Sequence, residues 1–199
     1  MISVRSPLGL GSASPRRRAL LESVGIPLVV VSVDVDESKK QGETPEAYLA
    51  RIVEDKLAAV LADERARAAS IVLVADTVVL LEGAILGKPA DADEARSMVT
   101  KLSGRVHEVR TRFALGVAAG VVHAETVGTS VEFRDLEPGE IERYVATGEG
   151  VDKAGAYAIQ GVGSFAVRRI EGSYANVVGL PVCEVILALR RAGQLGAFP

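Results

Sequence analysis

The chain of 199 residues carries 23 basic and 26 acidic side chains, a formal net charge of −3, with 48% hydrophobic and 25% charged residues. That composition is globular rather than disordered, and its slight acidity argues against a stable nucleic-acid partner or a membrane surface, so any positive field must be local. A single cysteine, Cys183, excludes an internal disulfide and a cysteine-rich zinc site and reads as a buried small hydrophobe in a reducing compartment. No apolar run approaches the ~18 residues of a membrane span. One cytoplasmic domain over residues 1–199, without signal peptide or span, is the expectation.

The first informative stretch is Gly9-Leu10-Gly11-Ser12-Ala13-Ser14-Pro15-Arg16-Arg17-Arg18. A short apolar run ends, small residues turn the chain, and Ser14 as N-cap with Pro15 behind it starts a helix that runs to about Val24 and stops at Gly25. Such a start presents unpaired N–H groups and partial positive charge, and basic side chains in its first turn oppose the dipole unless an anion stands nearby. Hydroxyls, guanidinium groups and a helix N-terminus together describe a site for a phosphate chain. A capped helix with a solvated basic turn is the plain alternative. A dinucleotide fold is another, with Gly9-x-Gly11 and Asp34, although its third glycine would fall on Ser14.

Leu28 to Val33 reads as a buried strand ending in the carboxylates Asp34, Asp36 and Glu37. After a polar, mobile loop from Lys39 to Glu43, Thr44-Pro45 opens a helix with Tyr48, Leu49, Ile52, Val53, Leu57 and Val60 on one face. Lys56 interrupts that face, either as a surface lysine lying along the helix or as a phosphate contact. Ile71 to Leu81 is the most apolar strand and holds Ala75-Asp76-Thr77 in its middle. A carboxylate there needs a hydrogen-bond partner, a cation or a reacting group.

Glu82-Gly83 turns the chain, and Gly87-Lys88-Pro89 brings a lysine back on a rigid loop. A helix from about Asp93 to Leu102 precedes a hairpin of Val106 to Val117 and Val121 to Phe133. His107 and His123 lie on it as structural residues, with no partner motif for a metal. Glu137-Pro138 starts a helix with Ile141 and Val145 inward and Gly148 at its end. Asp152 to Gly161 is a glycine-rich charged loop, Ser164 to Ile170 a last strand, and Leu180-Pro181 the entry to a helix with Val185, Ile186 and Leu189 inward.

Taken in order, SASPRR at Ser12 to Arg17, Glu37, Lys56, ADTVV from Ala75, GKP from Gly87, LSGRVHEV from Leu102, DKAGAYAIQG from Asp152 and GSYANVVGLP from Gly172 resemble the Maf family of nucleotide pyrophosphatases, once known as septum formation inhibitors. Each motif is weak alone; the ordered set spans nearly the whole chain. Gly9 and Gly11 depart from the larger apolar or alanine residues usual there and are expected to soften the first strand. Arg18 extends the arginine pair.

The resemblance implies an α/β fold with a mixed, elongated sheet, flanking helices in two lobes around a cleft, the architecture of inosine triphosphate pyrophosphatase, and a homodimer. It implies hydrolysis of nucleoside triphosphates to the monophosphate and pyrophosphate with a divalent cation, Mg²⁺ or Mn²⁺. The DKAGAYAIQG loop resembles the branch acting on dTTP and UTP; the 7-methyl-GTP branch, or a nucleotide-sensing regulator of cell division, are the alternatives. The acids and lysines together argue against a binding-only relic.

In-line attack of water on phosphorus needs charge neutralisation, a held leaving group and an activated nucleophile. Ser12, Arg16 and Arg17 suit phosphates, Lys56 and Lys88 the charge on pyrophosphate, and Glu37 and Asp76 a hard cation. By resemblance Asp76 is the proton acceptor, and Arg16, Thr77 and Gln160 set base preference. The Gln160 amide offers a donor and an acceptor that match the O4/N3–H edge of uracil or thymine.

Overall fold

The computed structural model describes residues 1–196 and 198. Its strands are β1 Leu8–Leu10, β2 Leu28–Val30, β3 Ile71–Leu81, β4 Ala84–Leu86, β5 Val106–Val117, β6 Gly120–Phe133 and β7 Val167–Glu171. The α-helices are α1 Pro15–Ser23, α2 Pro45–Ala62, α3 Ala92–Leu102, α4 Pro138–Ala146, α5 Tyr174–Val178 and α6 Val182–Arg191. The seven strands form a mixed sheet in the order β2-β1-β3-β5-β6-β7, with β4 also on β3. β1 runs parallel to β2 and β3, whereas β4 and β7 are antiparallel to their neighbours. The expected α/β class and mixed sheet are present.

The chain divides into two compact units, Met1–Asp76 with Thr111–Val127 and Gly179–Pro199, and Thr77–Arg110 with Gly128–Val178. In the first, the period of two along β3 separates its faces. Ile71, Leu73 and Ala75 pack with Leu8, Leu10, Leu21, Phe113, Leu115 and the inward residues of α6. Val72 and Val74 pack instead with Val53, Leu57 and Val60 of α2. Gly9 in β1 and Gly11 just after it follow from this closeness. A Cβ on Gly11 would stand 2.6 Å from Val74 Cγ1 and 2.7 Å from Val60 Cγ2. Far from softening the strand, the missing side chain lets α2 and β3 close on it.

In the second unit α3 packs on α4, around buried Met98, Val99, Leu102, Phe133, Ile141, Tyr144 and Tyr157. Asn176 is fully buried, its amide nitrogen donating to Val109 O and Thr129 Oγ1, both at 3.0 Å. Glu82 and Gly83, both at positive φ, make the tight turn between β3 and β4.

Helix starts match the capping signals: Ser14 accepts from Arg17 N at 3.5 Å and Thr44 from Ala47 N at 3.2 Å. Other expectations need correction. β2 ends at Val30 and is only half-buried, because it lies at the sheet edge with β1 as its one neighbour. Residues 161–165 form a 3-10 turn, so the last strand begins at Val167. Tyr144, not Val145, is the buried partner of Ile141 on α4. Cys183 is exposed, since the α6 stripe of 185, 186 and 189 leaves 183 on the outer side. The loop expected to be mobile after Glu37 is fastened by Arg51, which donates to Ser38 O at 2.9 Å and to both Glu43 oxygens at 2.7 and 2.8 Å.

Candidate active site

The two faces of β3 explain the first cluster. Val72 and Val74 pack with α2, and by the period of two Asp76 lies on that same side of the strand. On α2, Lys56 belongs to the buried stripe of 49, 52, 53, 57 and 60 rather than to a solvated face. Its ammonium meets Asp76 Oδ1 at 2.8 Å and Glu37 Oε1 at 2.6 Å. The Lys56 and Asp76 side chains are 11% and 14% exposed, so water screens their attraction little.

Glu37 is held from behind. Tyr48 Oη donates to its carbonyl at 3.0 Å, and Arg51 donates to Asp36 O at 3.3 Å. Burial, followed by the charges of Asp76 and Glu37, pushes the Tyr48 hydroxyl up to about 12, so it stays a donor at neutral pH. Arg51 and the Lys40 N–H hold the Glu43 carboxylate down at about 2, keeping this fastening ionised.

Arg17 is held by backbone acceptors. It is buried, and its guanidinium points into the protein: Nε donates to Gly179 O and Nη1 to Ala75 O, each at 2.8 Å, with Ser12 Oγ at 3.2 Å from Nη1. Those two nitrogens are therefore committed to the carbonyl just before Asp76 and to Gly179. This geometry makes Arg17 a fastening for the strand that bears the carboxylate. Burial pulls its pKa down, while the Asp76 charge opposes that shift. Arg16 stands half-buried beside it, and Ser12 Oγ also accepts from Ser14 N at 3.2 Å. Ser12, Arg17, Lys56, Glu37 and Asp76 thus belong to one unit.

Thr77, Lys88 and Gln160 belong to the other. Thr77 is half-buried, whereas Lys88 and Gln160 are exposed. Gly155 N donates to Gly87 O at 3.0 Å, tying the loop of Gln160 to the loop of Lys88. Gly155 adopts φ +71 against Val79, where a larger residue would be both strained and crowded. His107 is buried, with Nε2 2.8 Å from Tyr157 Oη and Phe133 edge-on at 5.0 Å. Burial lowers its pKa to about 4.

Two carboxylates that converge on one cation offer hard oxygen donors at a single point. This fits a cation such as Mg²⁺, which takes one or two carboxylates together with substrate phosphates. Among the described residues no group of three His, Cys, Asp or Glu is gathered for a metal, so a closed zinc-type site has no ligands here. Glu37 and Asp76 are the residues that would hold the ion.

Sequence comparison places this geometry among relatives. A dTTP/UTP pyrophosphatase of Geobacter sp. (strain M21) is 52% identical over 195 residues, 96% of this chain and 98% of that one. One of Geotalea uraniireducens (strain Rf4) is 48% identical over 197 residues, 98% of this chain and all of that one. A solved nucleoside-triphosphatase / dITP/XTP pyrophosphatase from Mycobacterium abscessus shares 15% identity at a TM-score of 0.43, over 95% of this chain and 99% of that one. A superposition that loose leaves the fold to rest on its own sheet order. The model of the Maf-like protein family matches residues 7–192, and the chain belongs to that family.

Proposed function

We propose that this chain hydrolyses dTTP and UTP between the α- and β-phosphates, releasing the nucleoside monophosphate and pyrophosphate. The observation that carries the chemistry is the meeting of Glu37 and Asp76 on the Lys56 ammonium, at 2.6 and 2.8 Å. The choice of nucleotide leans on relatives about half identical along their whole length that bear the name dTTP/UTP pyrophosphatase.

In this reading water attacks the α-phosphorus and Asp76 accepts its proton. The bond from that phosphorus to the α,β-bridging oxygen breaks, and the electron pair leaves with pyrophosphate. Lys56 and Lys88 neutralise charge on the leaving group, and Ser12 and Arg16 bind phosphate oxygens. Arg17 acts through Ala75 O, holding the strand that carries Asp76. A divalent cation held by Glu37 and Asp76 would supply charge neutralisation on the phosphates. Gln160, with Thr77 and Arg16, selects the base. The reading takes residues 1–199 as one Maf-like domain, working as a cytoplasmic homodimer. Among the described residues no helix is long and apolar enough to cross a membrane.

The test is pyrophosphate release from dTTP, UTP, CTP, GTP and 7-methyl-GTP, with Mg²⁺, with Mn²⁺ and in excess EDTA. Preference for dTTP and UTP, abolished by chelator and restored by either ion, is expected. A lead for 7-methyl-GTP, or nucleotide binding without turnover, overturns the proposal, and full activity in EDTA removes the metal from it.

A further inference from the structure

The loop of Gln160 is folded around an anion of the protein's own. Gly161 takes φ +73, and the next two backbone N–H groups, of Val162 and Gly163, donate to the Glu149 carboxylate at 2.8 and 2.7 Å, one to each oxygen. Successive N–H groups beyond a left-handed residue form a concave anion site. Gly161 is required by the occupant, and Gly163 chiefly by the backbone and hydroxyl beside it. Any side chain on Gly161 would collide with Glu149 Oε1, and one on Gly163 would run into Ala158 O and stand 2.8 Å from Tyr144 Oη.

The other flank of Gln160 is fixed by the same group of side chains. Ala158 N donates to Tyr144 Oη at 3.2 Å, and the Glu149 charge stands near enough to that hydroxyl to add to burial in raising its pKa. Lys153 Nζ secures the Glu149 main chain, donating to its carbonyl at 2.6 Å. Gln160 itself is exposed, while Tyr157, Ala158, Ile159 and Gly163 around it are buried. One exposed amide thus stands on a backbone gripped two residues before and two to three residues after it.

We infer that Glu149 is a positioning residue for base selection, its carboxylate setting the direction of the Gln160 amide through Val162, Gly163 and Tyr144. This rests on the proposal that Gln160 reads the pyrimidine edge. An amide that must donate and accept at fixed points loses discrimination when its backbone shifts by a fraction of an ångström, because the wrong base is no longer left with an unpaired group.

The experiment compares kcat and KM for dTTP, UTP and CTP in wild type, Gln160→Ala, Glu149→Gln, Tyr144→Phe and the double variant Glu149→Gln/Gln160→Ala, with melting temperatures alongside. Glu149→Gln keeps the volume but offers one oxygen to two N–H groups. Tyr144→Phe is nearly isosteric and carries the same test should Glu149→Gln not fold. Each is expected to lower the dTTP-to-CTP ratio of kcat/KM by about 10-fold, mainly through KM, and the double variant to lose no more than Gln160→Ala alone.

If Gln160→Ala loses the preference while Glu149→Gln and Tyr144→Phe keep it, the inference is wrong and the proposed function stands. Multiplying effects in the double variant also overturn it. A wild type that shows no preference for dTTP over CTP sinks both.

Discussion

Lys56 and Asp76 are 20 residues apart in the chain and 2.8 Å apart at Nζ and Oδ1. The lysine sits on the buried stripe of a helix and the aspartate on the matching face of a strand, so the fold itself aims them at each other. Substituting Asp76→Asn removes the proposed proton acceptor and a carboxylate for the cation. Turnover is expected to fall by ~10²–10⁴-fold with cooperative unfolding retained. Near-normal turnover would make the aspartate a structural partner of Lys56. Lys56→Met, by contrast, leaves two carboxylates facing each other without their cation, and both turnover and melting temperature are expected to fall. In the double variant the loss of stability is expected to be smaller than the sum of the single losses.

Arg17 yields a prediction in which stability and activity move together. Arg17→Lys keeps the charge but cannot reproduce the guanidinium fork that serves Gly179 O and Ala75 O. Leaving buried carbonyls without donors costs roughly 2–4 kcal/mol in total. Urea denaturation should show that loss, and kcat should fall because Ala75 directly precedes Asp76. A residue that only bound phosphate would instead raise KM and leave the urea midpoint where it was.

The glycine that follows β1 tests the packing directly. Gly11→Ala places a methyl 2.6 Å from Val74 Cγ1 and 2.7 Å from Val60 Cγ2, two side chains with little rotamer freedom. Overpacking of this kind costs about 1–3 kcal/mol. A variant as stable as wild type in urea would show that α2 yields without penalty.

Much of this was legible in the chain. Ser14-Pro15 and Thr44-Pro45 state their helix starts through capping chemistry that is local, and the alternation in β3 states a strand through its own period. Asp76 stood out because a lone acid in an apolar run must have a partner. What partner it has was not legible: Lys56 could lie along its helix or reach a phosphate, and only the register of α2 on β3 settles that it turns inward. The acceptors of Arg17 were hidden for the same reason. Its sequence surroundings describe an anion site, while its acceptors, Ala75 O and Gly179 O, lie 58 and 162 residues away. Edge effects were equally invisible, since β2 reads as buried until it is known to have one neighbour.

His107 supplies a prediction that depends on pH rather than on activity. It is 3% exposed, and burial holds its folded pKa near 4, against 6.5 for the free side chain. Between those values the unfolded chain binds a proton that the folded one refuses, so stability rises with pH across this window. Read downward, stability is complete above about pH 6.5, falls as pH drops toward 4, and levels off for this group below that. The full difference is about 3 kcal/mol. Glu43 and Glu140 are held down at about 2 chiefly by side-chain hydrogen bonds from Arg51 and Arg134. Their contributions therefore fade in a lower window, as pH falls from about 4.5 toward 2. Replacing His107 with Gln keeps a hydrogen-bonding group near Tyr157 Oη and removes the titration. Urea unfolding of wild type and His107→Gln at intervals from pH 4 to 7.5 should give two curves that diverge in slope between 4 and 6.5, wild type being the steeper. Parallel curves across that interval would mean that the imidazole is protonated in the folded protein as readily as in the unfolded chain, and that burial does not hold it neutral.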